Sequence, residues 1–217
     1  MNGIVVSLAD LLSLKGEAFM ADMASRFSCG GRNSEVEDYL KETAIRHTLK
    51  NTSITHLVMR PDCSDCLAYY TLAMKPFAIS ADRLNNRQKK EMRDVAKVRK
   101  DNREFSIAAY LIAQLARNFA APEEWRVTGR DLFACIFSQV AAIRKQIGGK
   151  VVFVEYERDK AGLQKFYQDN GFEEFKVPSD EDAKGKLGQL FYFLSIDRSV
   201  VGGALTAFTQ DAILIRI

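Results

Sequence analysis

A chain of 217 residues, 47% hydrophobic and 27% charged, has the composition of a soluble globular protein and the length to bury one sizeable core. Four cysteines are too few for a disulfide scaffold and do not point to secretion. No stretch approaches the roughly 20 apolar residues of a membrane span, and Met1-Asn-Gly-Ile-Val-Val-Ser is not a signal peptide, so the expected location is cytoplasmic, with no membrane partner.

Ile4 to Leu8 reads as a first strand, and Glu17 to Phe27 as a helix using Phe19, Met20, Met23 and Phe27. Ser34 and Glu37 have the Ser-x-x-Glu spacing of a capping box, and the helix they open carries Val36, Tyr39, Leu40 and Ala44 on one face. Ile54–Met59 and Leu67–Met74 read as strands. The turn-forming composition of Pro61-Asp-Cys-Ser-Asp-Cys66 between them predicts a hairpin. One Cys-x-x-Cys pair in a turn, with no second pair or histidine at zinc spacing, predicts no metal.

The segment from Asp82 to Arg103 is polar and long enough for a helix plus a connection. From Arg83 to Arg103 it holds nine Lys or Arg against three acids, a local +6 in a chain of net +3, so the remainder is about −3. A run of this kind is a solvated face or a phosphate-binding one. Phe105 is its sole aromatic neighbour, so base stacking is not indicated.

Ile107–Leu115 reads as the next strand and Ala120–Trp125 as a loop. Leu132, Ile136, Val140, Ile143 and Ile147 then step along one helical face from Arg130 to the Gly148-Gly149 stop. Val151 to Val154 is a β-branched run suited to a strand buried on both faces. Two strands joined through a helix lie parallel, which places Ile107–Leu115 beside Val151–Val154. Asp159 caps a short helix whose apolar positions are Leu163, Phe166 and Tyr167, and Asn170-Gly171 ends it. Phe172–Phe175 returns as a strand, and Gln189–Leu194 reads as a last one. The tail from Ser195 to Ile217 is open between an extra strand and a homodimer contact.

The loop Arg126-Val127-Thr128-Gly129-Arg130-Asp131 opens the longest helix. Its glycine and the positive helix end form an anion site fit for a pyrophosphate, or simply an ordinary helix start. An acid at position 131 favours the helix but would repel a bound pyrophosphate.

Phe166-Tyr167-x-x-x-Gly171-Phe172 resembles the end of the GCN5-related N-acetyltransferase (GNAT) domain: apolar, Tyr, three residues, Gly-Phe. The loop also resembles that family's coenzyme A loop; Arg126 and Gly129 match, and Asp131 departs from its small residue. The likeness spans roughly residues 26–193 and implies a single α/β (α+β) domain over 1–217, with 195–217 as an extension. Its central sheet would be mixed and mostly antiparallel, with a parallel strand pair at the cofactor site and flanking helices.

The resemblance further implies an acetyl-CoA-dependent N-acetyltransferase, an acyltransferase in which a primary amine attacks the thioester directly within a ternary complex. Tyr167 would be the general acid toward the coenzyme A thiolate; read alone it is equally a core tyrosine. The pantetheine arm would lie along Leu115 and Arg117, with Asn118 a further candidate. Residues 126–131 would take the pyrophosphate, and Lys160 stands where many relatives carry asparagine. For the general base the family offers no fixed position; Glu155 at its strand end and Glu104 before the preceding strand are the candidates, each equally a solvated surface acid.

In the N-terminal half, Phe27-Ser-Cys-Gly30, Val36-Glu-Asp-Tyr-Leu40, Ala44, Thr55-His-Leu-Val58 and Tyr69-Tyr-Thr-Leu72 resemble the GNAT branch that includes toxin-type acetyltransferases. Those toxins act on the amino group of aminoacyl-tRNA, so the acceptor is either a small-molecule amine or aminoacyl-tRNA. The 82–103 insertion and the tail are longer than in the compact toxins. A coenzyme A-binding protein without turnover is the alternative consistent with Asp131 and Lys160.

Overall fold

The first strand, β1 (Ile4–Ser7), passes directly into α1 (Leu8–Ser25), because Ser7 caps the helix by accepting the Ala9 N–H at 3.2 Å. The helix starts well before the expected Glu17. It is broken at Gly16, whose φ of 78° and ψ of 172° are non-helical, so the sequence pattern caught only its second half. Leu8, Leu11 and Leu12 of the first half are buried. The structure, a computed structural model, describes residues 3–99, 103–157, 161–174 and 187–194.

A second helical stretch runs through α2 (Ser34–Asp38), a π-helical turn (Tyr39–Thr43) and α3 (Ala44–Leu49). The expected Ser34–Glu37 box does not form. Asn33 is the cap, accepting the Val36 N–H at 3.3 Å, and asparagine outranks most residues there. Glu37 is engaged elsewhere: Lys41 Nζ and the Cys29 N–H donate to it at 2.6 and 2.7 Å and hold its carboxyl below the usual carboxylate range.

Among the described residues, eight strands hydrogen-bond in the order β1-β2-β3-β5-β6-β8-β7, with β4 added to β5. β2 (Ile54–Met59) and β3 (Cys66–Ser80) form the expected antiparallel hairpin, and β3 runs further than Met74. β4 (Lys97–Arg99) pairs antiparallel with β5 (Glu104–Arg117), giving the basic segment a short strand that composition had not signalled. β5 and β6 (Val151–Glu157) are parallel, with Tyr110 opposite Val152 and Ile112 opposite Val154. β8 (Leu187–Phe193) pairs antiparallel with β6 and with the two-residue β7 (Glu173–Glu174). The sheet is thus mixed and mostly antiparallel, with one parallel pair, as the resemblance implies.

The described residues fall into two compact units. The first holds residues 3–72 and 114–141, the second the remainder. In the first, Leu8, Met20, Met23, Phe27, Leu40, Leu57 and Tyr69 form one core, and the Tyr69 hydroxyl donates to the Val36 carbonyl. In the second, α4 (Asn86–Arg93) starts with a full capping box between Asn85 and Gln88, and Phe77, Met92, Phe105, Leu111, Phe153 and Phe191 pack together. Val151 to Val154 are buried, as a strand covered on both faces requires.

The α5 helix (Gly129–Ile147) buries Leu132, Ile136 and Val140, whereas Ile147 at its end is exposed. Gly148 and Gly149 follow with φ of 75° and 106°; a Cβ at Gly149 would lie 2.7 Å from the Tyr110 ring. The Tyr110 hydroxyl donates to the Gly148 carbonyl. That close approach leaves no room for a side chain at 149, and the positive φ of both residues favours glycine. The α6 helix (Ala161–Asp169) ends at Gly171, φ 88°, where the Phe172 and Gly171 N–H groups return to the Tyr167 and Gln168 carbonyls at 3.1 and 2.9 Å. Asp159, Lys160, Phe175 and the 195–217 tail lie outside the described residues.

Candidate active site

In the first unit, the chain leaves β5 through Arg117 and reaches α5 by a loop carrying a short 3-10 turn, Glu123–Trp125. Val127 is buried and anchors the loop, while Arg126, Thr128 and Arg130 are exposed. Gly129 is the first residue of α5 and is not among the glycines with positive φ. The first N–H groups of α5 have no intrahelical acceptor and point out of the helix with the positive end of its dipole.

Asp131 competes for that end. Its Oδ2 accepts the Thr128 N–H at 2.9 Å and the Thr128 hydroxyl at 2.5 Å, and the Thr128 Oγ1 accepts the Asp131 N–H at 3.2 Å. This is a reciprocal Thr-x-x-Asp cap. Burial alone would raise the Asp131 pKa, but the hydrogen bonds from Thr128 outweigh it and hold the carboxyl below its usual range. Asp131 is therefore charged, and it is tied to the loop rather than turned away from it.

Leu115 and Arg117 lie on the last residues of β5. Asn118, the third candidate there, has a different task. Its Oδ1 accepts the Ser28 and Ala120 N–H groups at 3.1 and 3.0 Å, and its Nδ2 donates to the Cys66 carbonyl at 2.9 Å. The side chain ties three separate segments together. Also in this unit, Ser34, Glu35, Asp38, Glu42 and Gln114 line a hollow of about 450 Å³. Three carboxylates make it unsuited to a phosphate.

In the second unit, Tyr167 is buried on α6 with Tyr156, Phe166 and Phe172 around its ring, at centroid distances of 6.5, 5.5 and 5.8 Å. Burial pushes its phenol up to about 12. Glu155 is exposed and accepts from Gln189 Nε2 at 2.9 Å. Neighbouring residues on a strand face opposite sides, so Glu155 and Tyr156, the partner of Tyr167, are not on one face of β6. Glu104 begins β5, six residues before Tyr110, on the order of 20 Å along the strand from the parallel register.

Among the described residues no group of three or more His, Cys, Asp or Glu is placed to hold a metal, and no helix is long and apolar enough to cross a membrane. Cys63 sits in the β2–β3 turn with φ of 56°, and Cys66 is the first residue of β3.

No family model matches the sequence, and no curated protein matches it. Solved structures do. AtaT complexed with acetyl-methionyl-tRNAfMet is 18% identical, with a TM-score of 0.61 over 88% of this chain and 94% of that one. A tyrosine-to-phenylalanine mutant of KacT is 20% identical, with a TM-score of 0.61 over 89% and 96%. AtaTR bound with AcCoA is 19% identical, with a TM-score of 0.57 over 89% and 94%. This chain has the fold of AtaT and KacT. At such identities the likeness speaks for the fold alone.

Sequence reasoning placed Tyr167 and the 126–131 loop on the elements where they occur. It missed the Thr128–Asp131 cap, although the Thr-x-x-Asp spacing was there to read. It also missed the structural task of Asn118, which depends on segments 52 and 90 residues away.

Proposed function

We propose that this chain is an acetyl-CoA-dependent N-acetyltransferase acting on a primary amine by direct attack in a ternary complex. Tyr167 carries the reading. It is a buried phenol that stays protonated at neutral pH, on the helix where the Phe-Tyr-x-x-x-Gly-Phe motif places the family's acid. The likeness to AtaTR bound with AcCoA supports acetyl-CoA as the cosubstrate.

In this reading the amine nitrogen adds to the thioester carbonyl, the C–N bond forms, and the C–S bond then breaks. Tyr167 meets the departing thiolate with its O–H. A phenol near 12 is a weaker acid than an exposed one, so its first service is a hydrogen bond that stabilises the departing thiolate; a proton it yields to sulfur is replaced from water. The amine's proton leaves through water to Glu155, which Gln189 orients. The first-turn N–H groups at Gly129 and Arg130 hold the pyrophosphate, with the Arg130 charge offsetting Asp131, while Arg126 pairs with Glu123 at 3.4 Å. Leu115 and Arg117 offer backbone groups to the pantetheine arm.

For the acceptor, the likeness to AtaT complexed with acetyl-methionyl-tRNAfMet supports the amino group of aminoacyl-tRNA as a second reading beside a small-molecule amine. Coenzyme A binding without turnover remains the rival class. The test is thiol release from acetyl-CoA by the purified chain against free amines and charged tRNA. Acceptor-dependent release is expected; tight coenzyme A binding with no release for any acceptor would support the rival.

A further inference from the structure

Arg32 and Arg117 are 85 residues apart in sequence, and both are exposed. Their guanidinium carbons nevertheless lie 4.6 and 4.3 Å from the centroid of one ring, that of Phe119. Two like charges are thereby held within about one Debye length, ~10 Å at 0.1 M salt. Among the described residues neither has a carboxylate within ion-pair distance. The ring attracts each cation but neutralises neither.

The platform is fixed in place. The Phe119 N–H donates to the Ser28 carbonyl at 2.7 Å, and Asn118 ties Ser28, Cys66 and Ala120 around it. Gly30, at φ 62°, lets the backbone close onto Phe119, where a Cβ would stand 3.2 Å from the Phe119 Cβ. All of these residues belong to the first unit. The fold thus converges two arginines on a rigid aromatic ring, an arrangement that repels itself until an anion arrives.

We propose that Arg32, Phe119 and Arg117 form a binding site for a phosphate ester. Paired guanidinium forks match the geometry of phosphate oxygens, and single-stranded nucleic-acid sites combine positive charge along the backbone with aromatic rings and arginine cation–π contacts. The phosphate comes either from an RNA-borne acceptor or from the 3′-phosphate of coenzyme A. The choice of these two sources rests on the acetyltransferase reading; the anion site itself does not.

The experiment is calorimetric titration of the full chain with a short single-stranded oligoribonucleotide, with coenzyme A and with 3′-dephospho-coenzyme A. Wild type, the Arg32→Gln/Arg117→Gln double variant, Phe119→Leu and, as a control, Arg46→Gln on the exposed face of α3 are compared. If the site holds RNA, the double variant binds the oligonucleotide at least about tenfold more weakly, and its salt slope falls by about 0.7 for each phosphate no longer neutralised. If it holds coenzyme A, the same variant loses the difference in affinity between coenzyme A and its dephospho form. In either case Phe119→Leu, which keeps both charges, weakens the same ligand by a smaller factor.

All three ligands binding the double variant as they bind wild type, or equal losses in Arg46→Gln, would overturn the proposal. Because the readout is binding, a chain that transfers no acetyl group yet shows this pattern would count against the acetyltransferase reading alone.

Discussion

At the scale of single residues, Asp131 decides how well the loop can hold a cofactor. It satisfies the Thr128 N–H and hydroxyl, which stabilises the start of α5 by about 0.5–2 kcal/mol as caps do. The same carboxylate sets a negative charge beside the proposed pyrophosphate. Asp131→Asn keeps a capping side chain and removes the charge. It is expected to tighten coenzyme A binding by about threefold or more, measured by calorimetry, at a cost of under ~1 kcal/mol in stability. Weaker binding would mean that the carboxylate helps to shape the site. The sequence showed the departure at 131, yet not its outcome, because orientation depends on which hydrogen bonds the side chain finds. Tyr167 was legible for the opposite reason: its motif is local, and a strand, a helix and a glycine stop place it without distant partners.

At the scale of elements, β2, β3, β5, α5 and β6 were legible because their apolar runs or helical steps are long. The strand β4 and the first half of α1 were not. β4 is short and polar and exists by pairing with β5; α1 begins where apolar residues follow a strand without a break, and it bends at Gly16. The β2–β3 hairpin hides a further property. His56 is buried and stacks on Tyr70 at 5.1 Å, and burial lowers its pKa to about 4. Its folded pKa is below its unfolded value near 6.5, so stability is full above pH 6.5 and falls as the unfolded chain alone takes up a proton. From pH 7.5 to pH 5 this costs roughly 2 kcal/mol. Urea midpoints across that range should fall for wild type and stay nearly level for His56→Phe. Equal slopes for the two proteins would show that His56 does not couple folding to pH.

At the scale of the whole chain, charge is the feature that most separates candidate acceptors. The basic segment was visible from counting, but its use was not. Arg87 forms ion pairs with Glu91 and Glu173, whereas Lys90 and Arg93 are exposed and Lys89 partly so. If the acceptor is aminoacyl-tRNA, neutralising Lys89, Lys90 and Arg93 should weaken tRNA acetylation and lower its salt slope by roughly 0.9 for each phosphate that the segment no longer neutralises. Acetylation of a small amine should be spared. Unaltered tRNA kinetics would make the segment an ordinary solvated face. The central claim, however, is that Tyr167 serves acetyl transfer from acetyl-CoA. It is tested most directly by single-turnover transfer with wild type and Tyr167→Phe, beside the acetyl-CoA dissociation constant of each. The account predicts a rate about 10²-fold lower or more in the variant, with the dissociation constant within about twofold, because the hydroxyl acts on the departing thiolate and not on the bound cofactor. An unchanged chemical rate would contradict it.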